Sequence, residues 1–148
     1  MDTQDQLVLR GHLQTGVGQG QYFTRLDWVC RQIQQKFGFD PAPGTFNIAV
    51  EPDQLEILAR LRKLATTQLV PPDPNFCLAV CVAVSVGAVP SRGKQDQATS
   101  TPLTGVLVIP LVRSYPDLLM EIMAAVNLRQ ALGAQDGDAV EVRVQIPA

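Results

Sequence analysis

The sequence is poor in imidazole, in charge and in aromatic rings. Its 148 residues include a single histidine and three cysteines, with 18% charged and 5% aromatic side chains. One histidine excludes any zinc site built on two imidazoles within the chain, the HExxH type included. A Ser-His-Asp or Cys-His arrangement would have to use His12. That residue sits in the alternating stretch Leu9-Arg10-Gly11-His12-Leu13-Gln14, and no GxSxG turn is present to carry a nucleophile. His12 therefore reads as a residue on the surface of a strand. Cys30, Cys77 and Cys81 are odd in number and lack CxxC spacing, so they read as buried thiols behaving as small hydrophobes.

Other classes are excluded by what is missing. Twelve basic against fourteen acidic residues leave a net charge of -2, with no basic stripe, which argues against a nucleic-acid partner. The longest apolar run, Phe76 to Val84, is far shorter than the roughly 18 to 20 residues a membrane span needs. The opening Met-Asp-Thr-Gln-Asp-Gln is acidic and polar, the reverse of the basic start of a signal peptide. The expectation is a cytoplasmic chain, not a membrane protein. It should form one domain over residues 1–148, long enough to hide roughly two-thirds of its unfolded surface.

What is present is short alternating stretches punctuated by turn residues. Leu7 to Thr15 alternates as a strand and runs into Gly16-Val17-Gly18-Gln19-Gly20-Gln21, followed by Tyr22. Asp27 is placed to cap a helix through Phe37, with Val29, Ile33 and Phe37 four apart on one face and Gly38 as its stop. Phe39 to Gly44 is turn chemistry, and Thr45 to Val50 reads as a strand. A second helix opens at Pro52 or Asp53 and runs to about Ala65, with Leu55, Leu58, Leu61 and Leu64 expected inward. Phe76 to Val86 reads as a strand buried on both faces, residues 91–103 as a mobile loop, and Gly105 to Val112 as another strand. Leu118 to Ala125 fits either strand or helix. Asn127 to Leu132 reads as a helical turn ended by Gly133, Gln135 to Asp138 as a hairpin-type turn, and Ala139 to Ile146 as a final strand. With only two helices of useful length, the chain reads as mainly β, a barrel with peripheral short helices.

Four groups of residues can carry chemistry, and each has a plainer alternative. The alternate glycines at 16, 18 and 20 let backbone N–H groups approach an anion, or simply form a turn. Thr45 and Asn47, two apart on a strand, point the same way and offer hard oxygens to Mg²⁺, or hydrogen-bond along a strand edge. Glu121 stands among Leu118, Leu119, Met120, Ile122 and Met123, where a carboxylate needs a partner unless it faces solvent. Arg129, near Asp136-Gly137-Asp138, either grips phosphate or closes the end of its helix.

In order along the chain, these pieces resemble the archaeal-type CTP-dependent riboflavin kinases. That family carries G-x-G-E-G with a following Tyr and then G-F-x-P-[YF]-x-G-T-L-N. Here the corresponding stretches are Gly16 to Tyr22 and Gly38-Phe39-Asp40-Pro41-Ala42-Pro43-Gly44-Thr45-Phe46-Asn47. Its later G-x-[IVL]-V-x-P, L-E-I-I-A-P, L-R-x-x-L and D-G-D-x-V segments are matched by Gly105 to Pro110, Met120 to Ala125, Leu128 to Leu132 and Asp136 to Val140. The chain departs from the pattern in having Gln19 for Glu, Ala42 for Tyr and Ala125 for Pro. It also has Arg113 where the family has a flavin-contacting Thr.

The resemblance implies a six-stranded cradle-loop barrel of the RIFT-related kind. It implies transfer of the CTP γ-phosphoryl to the riboflavin 5′-hydroxyl, giving FMN and CDP. Val17, Gly18, Gln19, Gly20, Gln21 and Tyr22 would wrap the nucleotide, with Val126, Asn127, Leu128 and Arg129 forming the other side of its pocket. Thr45 and Asn47 would hold Mg²⁺. Glu121 would contact the flavin or its ribityl chain and is the carboxylate nominated for catalysis, while Ser114 would offer a hydroxyl on the flavin side.

Overall fold

The computed structural model describes residues 5–14, 27–65, 67–72, 78–88, 103–111 and 117–146. The glycine-spaced segment with Tyr22, Cys77, Ser114 and residues 91–102 lie outside the described residues. The elements are β1 (Asp5–Gln14), α1 (Asp27–Phe37), β2 (Phe46–Val50), a 3₁₀ turn (Pro52–Gln54), α2 (Leu55–Leu64) and β3 (Thr67–Leu69). They continue with β4 (Ala79–Ala88), β5 (Leu103–Pro110), β6 (Leu119–Met123), α3 (Leu128–Leu132) and β7 (Ala139–Ile146).

The described pairings are antiparallel and run β3-β4-β5-β6-β2-β1-β7. A further pairing, Val84↔Val144 through Ala88↔Val140, joins β4 to β7 and closes six of the seven strands into a barrel, with β3 appended outside on β4. Closure removes the exposed edges that an open sheet of this size would present. Because side chains alternate along each strand, every strand contributes one apolar row to the lumen. Leu9 and Leu13, Phe46, Ile48 and Val50, Val84 and Val86, Leu107 and Ile109, Met120 and Ile122, and Val140, Val142 and Val144 form this core. Leu58 and Leu61 of α2 and Leu128 and Ala134 around α3 join the same core. Gly11 faces the same lumen, where a Cβ would fall on the Ala49 carbonyl and the Ile48 side chain, so the strands could not approach so closely with a larger residue.

A second, smaller core lies on the outside of the wall. Val29 and Ile33 of α1 pack on Leu69, Ala79, Cys81, Val106, Val108 and Met123, with Trp28, Phe37 and Phe39 at its margin. The i, i+4 stripe read from the sequence is thus the face that α1 buries.

Several sequence expectations need correction. Asp27 is inside the first turn of α1 rather than its cap. Leu55 and Leu64 are exposed, at 43% and 37%, while only Leu58 and Leu61 of that series are buried. Steps of three fall short of one helical turn, so a series from 55 to 64 drifts about half-way round the helix. β4 is buried on both faces only where the outer core covers it, at Ala79, Val80 and Cys81; beyond that Ala83 is exposed. Leu103 begins β5 and packs on the core instead of ending a loop, and β5 stops at Pro110, short of Val112. Residues 119–123 are strand, and β3 was not foreseen. The Gln135–Asp138 turn forms, but it links α3 to β7 and is not a hairpin.

Candidate active site

The outward row of the barrel wall carries the chemistry. Gln14 pairs with Asn47, Asn47 with Glu121, Glu121 with Val108, and Val108 with Cys81. Residues paired across strands share a face, so Asn47 and Glu121 point away from the lumen. They are nevertheless only 7% and 5% exposed, the buried polar side chains among the described residues.

Thr45 reaches the same spot from the residue before β2. Gly44 precedes it at φ 85, a conformation that a side chain would strain. The Ala42 N–H donates to the Ala124 carbonyl at 2.7 Å, which pins this turn to the end of β6. The Asn47 amide nitrogen donates to the Thr45 carbonyl at 3.0 Å, leaving its oxygen to face the Thr45 hydroxyl. Thr45 Oγ1 lies 3.3 Å from both Asn47 Oδ1 and Glu121 Oε1. One hydroxyl hydrogen serves two acceptors, at distances longer than the usual ~2.8 Å. The Thr45 hydroxyl and the Asn47 amide oxygen are hard oxygens of the kind Mg²⁺ takes and fit the expected metal role by their chemistry. No group of three or more His, Cys, Asp or Glu side chains suited to a metal occurs among the described residues.

The cluster forms the polar end of a narrow cleft under α1. Thr45 and Glu121 line it together with Trp28, Val29, Leu69, Ala79, Val108 and Met123. These apolar lining residues were missed as site residues, although the Val29–Ile33 stripe was the signal that a helix covers this wall. Burial pushes the Cys81 thiol beside the cleft up to about 12. Cys30 is only half-buried, not fully buried as expected, and its thiol is raised by burial and then by the nearby Asp27 and Asp40 carboxylates. His12 lies on the outward row of β1, two residues from Gln14, 53% exposed and 2.8 Å from Glu51, as a strand-surface histidine should be.

The other expected pocket wall is at the end of the barrel where β6 leaves. Asn127 caps α3, accepting the Gln130 N–H at 3.0 Å, and Gly133 ends the helix at φ 64. Leu128 belongs to the core, so its side chain is turned away from solvent, whereas Val126 is 50% exposed. Arg129 is half-exposed and its guanidinium sits 2.7 Å from Asp136. The structure therefore joins Thr45, Asn47 and Glu121 in one cluster and places Val126 to Arg129 just beyond the end of β6. Ser114 and Val17 to Tyr22 lie outside the described residues.

The fold and the cleft define a closed β-barrel with a largely apolar cleft on its outer wall, polar at Thr45 and Glu121. A family model labelled CTP-dep_RFKase, described as "Domain of unknown function DUF120", matches residues 13–144. A riboflavin kinase from Archaeoglobus fulgidus is 31% identical over 146 residues, 97% of this chain and 57% of that protein. One from Methanocella arvoryzae is 34% identical over 140 residues, 93% of this chain and 57% of that protein. One from Ignicoccus hospitalis is 33% identical over 143 residues, 93% of this chain and 71% of that protein. The chain belongs to the archaeal-type CTP-dependent riboflavin kinase family. It spans little more than half the length of the first two relatives. Among the described residues, no helix is long and apolar enough to cross a membrane.

Proposed function

We propose that residues 1–148 act as a single riboflavin kinase domain, transferring the γ-phosphoryl of CTP to the 5′-hydroxyl of riboflavin in the cytoplasm. The observation that carries this reading is the part-buried Thr45–Asn47–Glu121 cluster on the outer wall of a barrel of this family. The riboflavin oxygen attacks the γ-phosphorus, the bond to the β–γ bridging oxygen breaks, and CDP leaves. The hydroxyl proton passes to the Glu121 carboxylate, the nominated base within the cluster. Thr45 and Asn47 would hold Mg²⁺, which neutralises phosphate charge when bound. Phosphoryl transfer depends more on such positioning and charge neutralisation than on covalent chemistry, which is why a chain with one histidine suffices. The residues Val17 to Tyr22 and Val126 to Arg129 would enclose the nucleotide, and Ser114 would serve the flavin.

The test is incubation with riboflavin, Mg²⁺ and either CTP or ATP, with FMN as the product measured. FMN formed with CTP supports the reading, and no FMN with any nucleotide overturns it. Binding of CDP without turnover would favour a non-catalytic nucleotide- or flavin-binding barrel, the reading that Arg113 in place of the family's threonine motivates.

A further inference from the structure

The turn between α3 and β7 takes no part in the chemistry just described, yet it holds two other elements at once. On one side, the Asp136 carboxylate accepts from the Arg129 guanidinium at 2.7 Å. On the other, the Gly137 N–H donates to the Leu13 carbonyl at 2.7 Å and the Leu13 N–H donates to the Asp138 carbonyl at 2.9 Å. The turn is itself closed by Asp138 N–H to the Gln135 carbonyl at 3.0 Å and Gln135 N–H to the Asp138 carboxylate at 2.8 Å. The Ala134 N–H, donating to the Arg129 carbonyl at 3.0 Å, fixes the backbone that carries the arginine. A braced turn therefore spans from Arg129 to Leu13 near the end of β1, three residues before Gly16.

An arginine on a flexible stem loses rotamer freedom when it grips a ligand, and a carboxylate holding one edge of its fork removes part of that loss in advance. The remaining guanidinium N–H donors stay available. Because the pair is exposed, its contribution to folding is small. A change in ligand binding can therefore be read apart from a change in stability.

We propose that Asp136 is a positioning residue for nucleotide binding, presetting Arg129 and fixing its distance from the end of β1. This rests on the reading of Val126 to Arg129 as one wall of the nucleotide pocket. Calorimetric titration of the full chain with CDP and Mg²⁺ tests it, with riboflavin titrated separately as the control. Asp136→Asn should weaken CDP binding about fivefold to tenfold, with riboflavin affinity and melting temperature unchanged. Asp136→Glu should recover most of the loss. In an Arg129→Ala background, Asp136→Asn should add nothing, since two residues acting as one unit are not additive. Removing a negative charge near an anionic ligand would tighten binding by Coulomb attraction alone, so the expected weakening isolates the positioning effect. Unchanged or tighter CDP binding in Asp136→Asn, additive losses in the double variant, or an equal loss of riboflavin affinity would each overturn the proposal. A wild-type chain that binds no CDP overturns both this proposal and the kinase reading. CDP binding that depends on Arg129 but not on Asp136 overturns the positioning role alone.

Discussion

The two faces of the barrel wall are made by the same strands and do different work. On β2, Phe46, Ile48 and Val50 turn into the lumen and Asn47 turns out. On β6, Met120 and Ile122 turn in and Glu121 turns out. Among the described residues the lumen is apolar, and its packing holds the barrel closed. Where α1 covers the outer face, Asn47 and Glu121 are buried and the half-buried Thr45 joins them. A polar group taken from water without full partners is a standing cost. Asn47 and Glu121 offset that cost by hydrogen bonding to Thr45, beside the cleft that Thr45 and Glu121 line.

Variants of neighbouring residues separate the two faces. Ile48→Ala should lower the unfolding free energy by about 2–5 kcal/mol, from lost burial and the cavity left behind, as read by urea denaturation. The variant that remains folded should still turn over. Asn47→Ala, one residue away, should leave the unfolding free energy within about 1 kcal/mol of wild type yet slow FMN formation about 100-fold. If instead Asn47→Ala unfolds the chain or Ile48→Ala silences a folded one, the division between the faces fails.

The outer core offers a pH-dependent test. The Cys81 thiol titrates at about 12 in the folded chain, against 9.0 for its ordinary value. From pH 9 upward the unfolded chain therefore loses this proton while the folded chain keeps it. Stability is fully present below that range and falls as pH rises toward 12. The loss attributable to Cys81 should reach about 2 kcal/mol near pH ~10.5. Cys81→Ala should show a flatter decline over the same interval, and identical slopes would contradict the burial-driven shift. The smallest effect is expected on the exposed surface of β1. His12→Ala, removing an exposed partner of Glu51, should change stability by less than about 1 kcal/mol and leave FMN formation as it was.

Much of the wall could be read from the chain because alternation is local. Asp5–Gln14 and Ala139–Ile146 announce themselves as strands, and the stripe of Val29 and Ile33 marks the buried face of α1. The leucines of α2 misled because a spacing of three looks periodic over one turn but has drifted half-way round the helix between Leu55 and Leu64. β3 escaped because Thr67–Leu69 is too short to show a period, and it exists by pairing with β4. At the site, Thr45 and Asn47 could be paired by their spacing. The side of the wall that Glu121 faces could not, since its hydrogen-bond partner Thr45 is 76 residues away and the register between β2 and β6 decides it. The role of Asp136 was hidden for a related reason: a carboxylate in an Asp-Gly-Asp turn reads as turn chemistry until Arg129 is seen beside it.

The claim that most needs testing is that the outward face of β2 holds the metal for phosphoryl transfer. The direct measurement is the rate of FMN formation from riboflavin and CTP as Mg²⁺ is varied, in wild type and in Asn47→Ala. The account predicts that the variant needs at least about tenfold more Mg²⁺ for half its maximal rate, from loss of one oxygen ligand. Superimposable Mg²⁺ dependences would contradict it.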